Sequence, residues 1–302
     1  MALQNKTNHR QSTSLSKNDA RIAYGMMLPA LTIIGIVVVV PSIMSLVNSF
    51  YSWNLFKPDQ KKFSFLLNYQ KILKDQTFWS AMRFTFGFIA LTMTLELVLG
   101  MSTALVVNRM PSTNRKLITT LLLIPYLLSP LTVGLIWKLL FTYDGLINWM
   151  LSFFGVQAIT WMTGAVSAFS ASVIAEVWRS YPFGFLLLLS AMSAFPIEPY
   201  EAAIVDGATK LQVFRFLTLP FCKPTLVIIL IYQIVLKLRV FDLVYLLTGG
   251  GPVDYTTPLG LLIYRYYFRY YEAGFGSAAA VVVLICSIAV STIVIANMQK
   301  DN

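Results

Sequence analysis

Residues Tyr200–Pro220 read YEAAIVDGATKLQVFRFLTLP, a charge-bearing island between two long apolar segments. Pro196 and Pro199 end the segment before it and restart the chain, because proline suits a first helical turn and not an interior. Tyr200–Val205 then reads as a short helix with Glu201 near its N-terminus, where the helix dipole favours an acid. Asp206-Gly207 breaks that helix and permits a left-handed turn. A second helix is expected from Thr209, with Leu211, Phe214 and Thr218 on one face and Lys210 and Arg215 towards solvent. Leu219-Pro220 is expected to stop it and direct the chain into the next apolar segment. The product is a helix–turn–helix elbow, and its neighbours decide what kind of protein carries it.

Those neighbours belong in lipid. The chain of 302 residues is 57% hydrophobic and only 12% charged, with a mean hydropathy of +0.69. Crossing a bilayer takes about 20 helical residues. No charged residue occurs over 22–56, 117–137 or 273–299, which gives three spans. Three more runs are interrupted by charge: 84–108 contains Glu96, 145–195 contains Glu176 and Arg179, and 221–248 contains Lys223, Lys237, Arg239 and Asp242. An all-α fold of six transmembrane helices is therefore expected, at roughly 22–50, 82–108, 117–141, 166–194, 222–247 and 274–297. A β-barrel would need short alternating segments, and these runs are continuously apolar. The domain reading is a polar tail over 1–21, one membrane domain over 22–297 with its elbow at 196–220, and a short tail over 298–302.

The net charge of +10 lies at segment ends rather than on one face, which argues against nucleic acid. Counting Lys6, Arg10, Lys17, Arg21, Arg109, Arg115, Lys116, Lys210, Arg215, Lys223 and Lys300, one side of the membrane holds eleven basic residues. The other holds seven: Lys57, Lys61, Lys62, Lys71, Lys74, Arg265 and Arg269. Positive-inside bias then places both termini and the elbow in the cytoplasm. The first apolar run is too long for a signal-peptide core and is expected to be retained. Cys222 and Cys286 are expected to be buried thiols.

Catalytic chemistry is missing. The single histidine, His9, lies in the tail, so no Ser-His-Asp or Cys-His arrangement can form, and one His with two scattered Cys makes no transition-metal site. Gly249, Gly250 and Gly251 lead to Pro252 rather than to the Lys-Ser/Thr of a phosphate-cradling loop. The acids within helices are isolated. No catalytic residue, metal site or bound cofactor is expected.

Polar groups inside spans are costly and tend to face the bundle interior or a water-filled path. The solute-path candidates are Trp178, Arg179, Tyr181, Gln233, Lys237, Asp242 and Tyr245, with Glu96, Glu176, Tyr232 and Arg239 nearby. Aromatic faces with directional hydrogen bonds suit a sugar. The competing reading is ion pairing within the bundle, for example of Asp242 with Arg239 or Lys237. Tyr264–Tyr271 (YRYYFRYY) reads first as an interfacial belt, in the same place where a soluble partner would dock.

The Glu-Ala-Ala of 201–203, Gly207 and the terminal Leu219-Pro220 resemble the coupling motif of ABC-importer permeases. Leu247–Pro252, Ala273–Ala279, Ile124-Pro125 with Trp137, and Trp178-Arg179 narrow the likeness to sugar-uptake permeases of the maltose type, in their six-helix version, over about residues 22–296. The resemblance implies that Glu201, Ala202, Ala203, Asp206, Gly207, Leu219 and Pro220 couple to a separate ATPase, which holds ATP and Mg. It implies two ATPase subunits, a second homologous permease as heterodimeric partner, and an extracytoplasmic solute-binding protein, with Gly249, Gly250, Gly251 and Pro252 in a periplasmic loop. Membrane lipid surrounds the chain. The alternatives from other classes are an ion-coupled secondary transporter, for which no inverted repeat is found, and a non-transporting membrane scaffold.

Overall fold

The computed structural model describes residues 17–300, with side chains described from 24 to 290 and at 292. The tail before Lys17, His9 included, and residues 301–302 lie outside the described residues. Two units are distinguished, 1–47 and 48–302. The first contains α1 (Lys17–Ile34), a π-helical turn over Gly35–Val39, and most of α2 (Val40–Asn48). From Tyr24 to Asn48 it is one apolar helix long enough to cross a membrane. The π turn immediately precedes Val40-Pro41, where a missing N–H has to be accommodated.

The second unit opens with a hairpin, β1 (Tyr51–Ser52) against β2 (Lys62–Phe63), antiparallel with Tyr51 opposite Phe63. Then come α3 (Leu67–Lys74), α4 (Gln76–Asn108), α5 (Ser112–Leu127), α6 (Pro130–Leu140), α7 (Leu146–Ser152) and α8 (Ala165–Ser193). The elbow contributes α9 (Glu198–Val205) and α10 (Lys210–Val213). They are followed by α11 (Leu219–Lys237), α12 (Asp242–Leu247), α13 (Leu259–Tyr264) and α14 (Ala273–Lys300). Helices α4 and α8 pack along their lengths, and α5 and α11 also lean on α8. Gly100 lets α4 approach the α8 backbone: a Cβ there would stand 3.1 Å from Phe185 N.

Five helical stretches can span a membrane by length and composition: 24–48, 76–108, 165–193, 210–237 and 273–290. The third expected span differs. It is broken at Leu128-Ser129, and α5 and α6 meet at 94°. The reason is local: Pro125 lies in the last turn of α5, while Ser129 caps α6 through Thr132 N with Pro130 at its first position. The fifth span also differs, because its helix ends at Lys237 and Asp242–Leu247 is a separate helix. The two detached arms pack on each other, α6 against α12, through Gly134. A Cβ on Gly134 would lie 2.9 Å from Leu243 O. Cys222 is buried as expected, but Cys286 is only half-buried.

Candidate functional site

The elbow is built from short-range capping. Helix α9 carries Glu198 and Glu201 in its first turn with Pro199 among its first residues. Gly207 takes φ +77° with nothing within 4 Å of where a Cβ would stand, so glycine is needed there for conformation and not for space. Thr209 opens α10 with a capping box: its Oγ1 accepts from Gln212 N at 3.3 Å, and Gln212 Oε1 accepts from Thr209 N at 2.7 Å.

Two expectations fail in this elbow. Leu219-Pro220 does not stop the second helix, which runs on through a π turn at Phe214–Thr218 into α11. Leu219 N bonds back to Phe214 O, so the wider turn absorbs the N–H that Pro220 lacks. Leu211 is exposed rather than buried beside Phe214 and Thr218. The elbow is tied to the bundle by Tyr200 Oη and Thr218 Oγ1, 2.8 Å apart, and by Phe195 packed edge-on against Tyr200 and Phe221.

Between the two arms lies an open groove of about 590 Å³ lined by Pro199, Ala202, Ala203, Asp206, Gly207 and Phe216, among others. Phe216 on this groove, and Ile204 and Val205 elsewhere on α9, are exposed large apolar side chains. Ala202 and Asp206 are exposed and Ala203 is half-buried along this groove, whereas Glu201 is exposed on another face of α9 and does not line it. Small side chains, a fixed turn and unburied apolar residues suit contact with another protein.

The intramembrane charges come together instead of staying isolated. Lys237 Nζ lies 2.8 Å from Glu96 Oε1 and 2.9 Å from Glu176 Oε1. Arg179 grips the same carboxylate with two donors, Nε at 3.1 Å and Nη2 at 2.7 Å, and Ser180 Oγ adds a bond at 2.7 Å. Two acids and two bases thus form a balanced cluster joining α4, α8 and α11. Only Arg179 is partly exposed. Glu96 Oε2 has no hydrogen-bond partner among the described residues and borders a water-sized void lined by Met93, Leu97, Gly184, Ile229 and Gln233. The ion-pairing reading holds, but with different partners from those expected. Asp242 sits in the first turn of α12, at the favourable end of its dipole.

The other path candidates divide. Trp178 packs edge-on against Trp137 on the core side, and Gln233 is buried with Nε2 3.5 Å from Ser180 O. Tyr181 is half-buried. Tyr245 is exposed and belongs to an aromatic group with Phe241, Tyr264 and Phe268. A second aromatic group, Tyr126, Phe183 and Tyr232, joins α5, α8 and α11. Tyr126 and Phe183 were missed from the sequence, although Pro125 marked the break beside which Tyr126 lies.

The Gly249–Pro252 loop is a fixed knot. Gly249 and Gly250 take φ of 61° and 90°, as the glycine run suggested. Arg265 donates to Gly249 O at 2.6 Å and also engages Asp254 and Thr257 Oγ1. Nearby, the Tyr266 hydroxyl bonds the Asp75 carboxylate. Burial, and next that carboxylate, push its ionisation well above the usual phenol range.

Comparison with known proteins agrees with this architecture. The family described as binding-protein-dependent transport system inner membrane component matches residues 96–301. A trehalose/maltose transport system permease protein, MalF, of Thermococcus litoralis is 36% identical over 96% of this chain and 98% of its own length. A sulfoquinovosyl glycerol transport system permease protein, SmoG, of Agrobacterium fabrum is 32% identical over 92% and 91%. Among solved structures, a bacterial ABC transporter involved in the import of alginate has a chain that superposes with a TM-score of 0.80. It covers 94% of this chain and 96% of that one at 22% identity, which speaks for the fold. With its membrane helices, its elbow and these matches, the chain belongs to the family of binding-protein-dependent transport system inner membrane components, as an ABC permease subunit and not an enzyme.

Proposed function

We propose that this permease subunit carries a sugar or sugar-like solute inward, powered by ATP hydrolysis on a separate chain. The elbow carries the reading: a shaped, exposed groove of small and acidic residues on a rigid turn is an interface without a partner in this fold. An ATPase subunit seated there would meet Ala202, Ala203, Asp206 and Gly207, and would reach Glu201 by wrapping round α9. Leu219 and Pro220 would pass its movement directly into α11, since no break separates them. This chain would bind no nucleotide, ATP and Mg being held by the two ATPase copies.

The solute class is supported by the names of the relatives, which are permeases for trehalose, maltose and sulfoquinovosyl glycerol. It is also supported by the partly exposed aromatics Tyr126, Phe183, Tyr232 and Tyr245. Among the path candidates, Arg179, Tyr181 and Tyr245 are the open ones. Trp178 and Asp242 are half-buried beside them, and Gln233 and Lys237 act behind. A second, homologous permease would close the path. A solute-binding protein would dock at the Gly249–Pro252 loop, as one solved alginate transporter is in complex with a periplasmic protein holding an alginate pentasaccharide. The chain would lie in the cytoplasmic membrane with both termini and the elbow inside, by the basic-residue bias.

Affinity purification in detergent tests this reading. A stoichiometric ATPase should co-purify with the wild type and be lost from Gly207→Trp. Purification of the chain alone, with no ATPase activity in either form, would point to an ion-coupled transporter or a scaffold.

A further inference from the structure

Residues 49–75 join the first span to the second and bring together an apolar tip and a lysine cluster with no role in the bundle. The base of this loop is firmly tied. Asn68 Nδ2 donates to Ser49 O and Tyr51 O at 2.8 and 2.9 Å, and Ser64 N donates to Phe50 O at 2.9 Å. Leu55 N donates to Tyr271 O at 2.8 Å and Gly274 N to Trp53 O at 3.2 Å. Gly274 makes this docking possible, since a Cβ there would fall 2.0 Å from Tyr51 O. The loop is thus held at the level where α14 begins, directly after Asn48 and directly before α4. For a chain whose spans cross the bilayer, that level is the headgroup region.

The fold leaves the tip open. Phe63, Phe65, Leu66 and Leu67 are 65%, 60%, 43% and 44% exposed. Phe65 has φ 47°, a conformation that bulky L residues adopt only when their surroundings impose it. Lys57 and Lys62 stand before this tip and Lys71 and Lys74 after it, all exposed and none in an ion pair among the described residues. Lys61 differs, being bonded to Asn48 Oδ1 at 2.9 Å and seated over the Trp53 ring at 4.3 Å. Of the acids nearby, Asp75 is taken up by Thr77 N and Tyr266, which leaves Asp59 and Glu272 against four open lysines.

From this arrangement we infer that residues 56–74 form a lipid anchor selective for anionic phospholipid. The Phe63–Leu67 tip enters the boundary between headgroups and acyl chains, and Lys57, Lys62, Lys71 and Lys74 take the lipid phosphates. Apolar residues interleaved with lysine at a fixed interfacial height suit a bilayer surface. Each basic side chain near an anionic surface adds to the attraction. The inference is independent of which solute is carried.

The test incubates the intact chain in detergent with equal phosphatidylglycerol and phosphatidylcholine, and quantifies by mass spectrometry the lipid retained through gel filtration. The wild type should retain phosphatidylglycerol in preference. The quadruple variant Lys57→Gln, Lys62→Gln, Lys71→Gln and Lys74→Gln should lose that preference by about ten-fold or more, from the summed loss of four attractions. Phe63→Ser with Phe65→Ser should lower retention of both lipids. Raising salt to about 1 M should erode the wild-type preference even if the quadruple variant fails to fold. Equal retention of the two lipids by the wild type would overturn the inference. So would a matching loss from Lys210→Gln with Arg215→Gln, which would make net charge the cause. An unchanged lipid preference in the quadruple variant, with lost capture of an acidic solute-binding protein, would assign the surface to protein instead.

Discussion

The elbow and the intramembrane cluster both gather polar residues in this apolar chain, and it treats them in opposite ways. At the elbow, Glu201 and Asp206 are open, apolar side chains stay exposed, and the backbone is fixed by caps and a single glycine. In the cluster, Lys237 and Glu176 are almost completely buried and the bonds come from three helices far apart in sequence. The first is arranged for a partner to complete. The second is complete already. Substitutions should therefore weaken the fold at the cluster and leave the fold intact at the elbow.

The largest effect is expected from Lys237→Met, which strands the Glu96 carboxylate in the bundle and leaves Glu176 to Arg179 and Ser180. Removing one member of a buried pair costs about 3–5 kcal/mol, because an uncompensated charge remains. Thermal unfolding in detergent should show a large drop or loss of folded chain. Adding Glu96→Gln should recover much of it, since Glu176 would keep Arg179 and Ser180. A double variant no better than the single one would mean that the cluster matters through packing and not through charge balance.

Next comes Gly207→Trp. No atom stands in its way, so the fold should lose only about 1–2 kcal/mol from forcing a non-glycine residue into the left-handed region. ATPase capture should fall far more, by about 2 kcal/mol or more, as for a residue at an interface centre. An equal loss in unfolding and in capture would erase the distinction between the two regions. Thr209→Ala is expected to be milder still. It removes a capping bond worth about 0.5–2 kcal/mol, read as a lowered midpoint in denaturant or heat.

The two regions also differ in how far the sequence displayed them. The elbow is local, so Pro199, Gly207 and Thr209 show it within a few residues. The exposure of Leu211 and the role of Pro220 mislead, the latter because the π turn just before it absorbs the missing N–H. The cluster is not local. Glu96 and Lys237 are 141 residues apart, and hydropathy marks each as an isolated charge without naming a partner. The same limit hides the break at Leu128-Ser129. An uninterrupted apolar run reads as one span, although Pro125, Ser129 and Pro130 form a stop and a start in plain view. Six spans were legible as apolar runs, but the packing of α6 on α12 depends on Gly134 meeting Leu243. No periodicity announces that contact.

The smallest effect sharpens the comparison most. Glu201 is exposed and forms no ion pair among the described residues, so Glu201→Ala should move the unfolding midpoint of the isolated chain by no more than about 0.5 kcal/mol. In the assembled transporter two results are distinguishable. A rim position, still wet, would change ATPase affinity by about 0–1 kcal/mol. A position desolvated against a cation would change it by about 2–5 kcal/mol, largely through the charge left unpaired on the ATPase. Titrating purified ATPase against both forms separates them. Ala203→Trp should be at least as damaging as Glu201→Ala, since the groove is shaped by small side chains and one bulky residue closes it. If Glu201→Ala proves the worse of the two, the elbow docks by charge, and its likeness to the buried cluster is closer than the open geometry suggests.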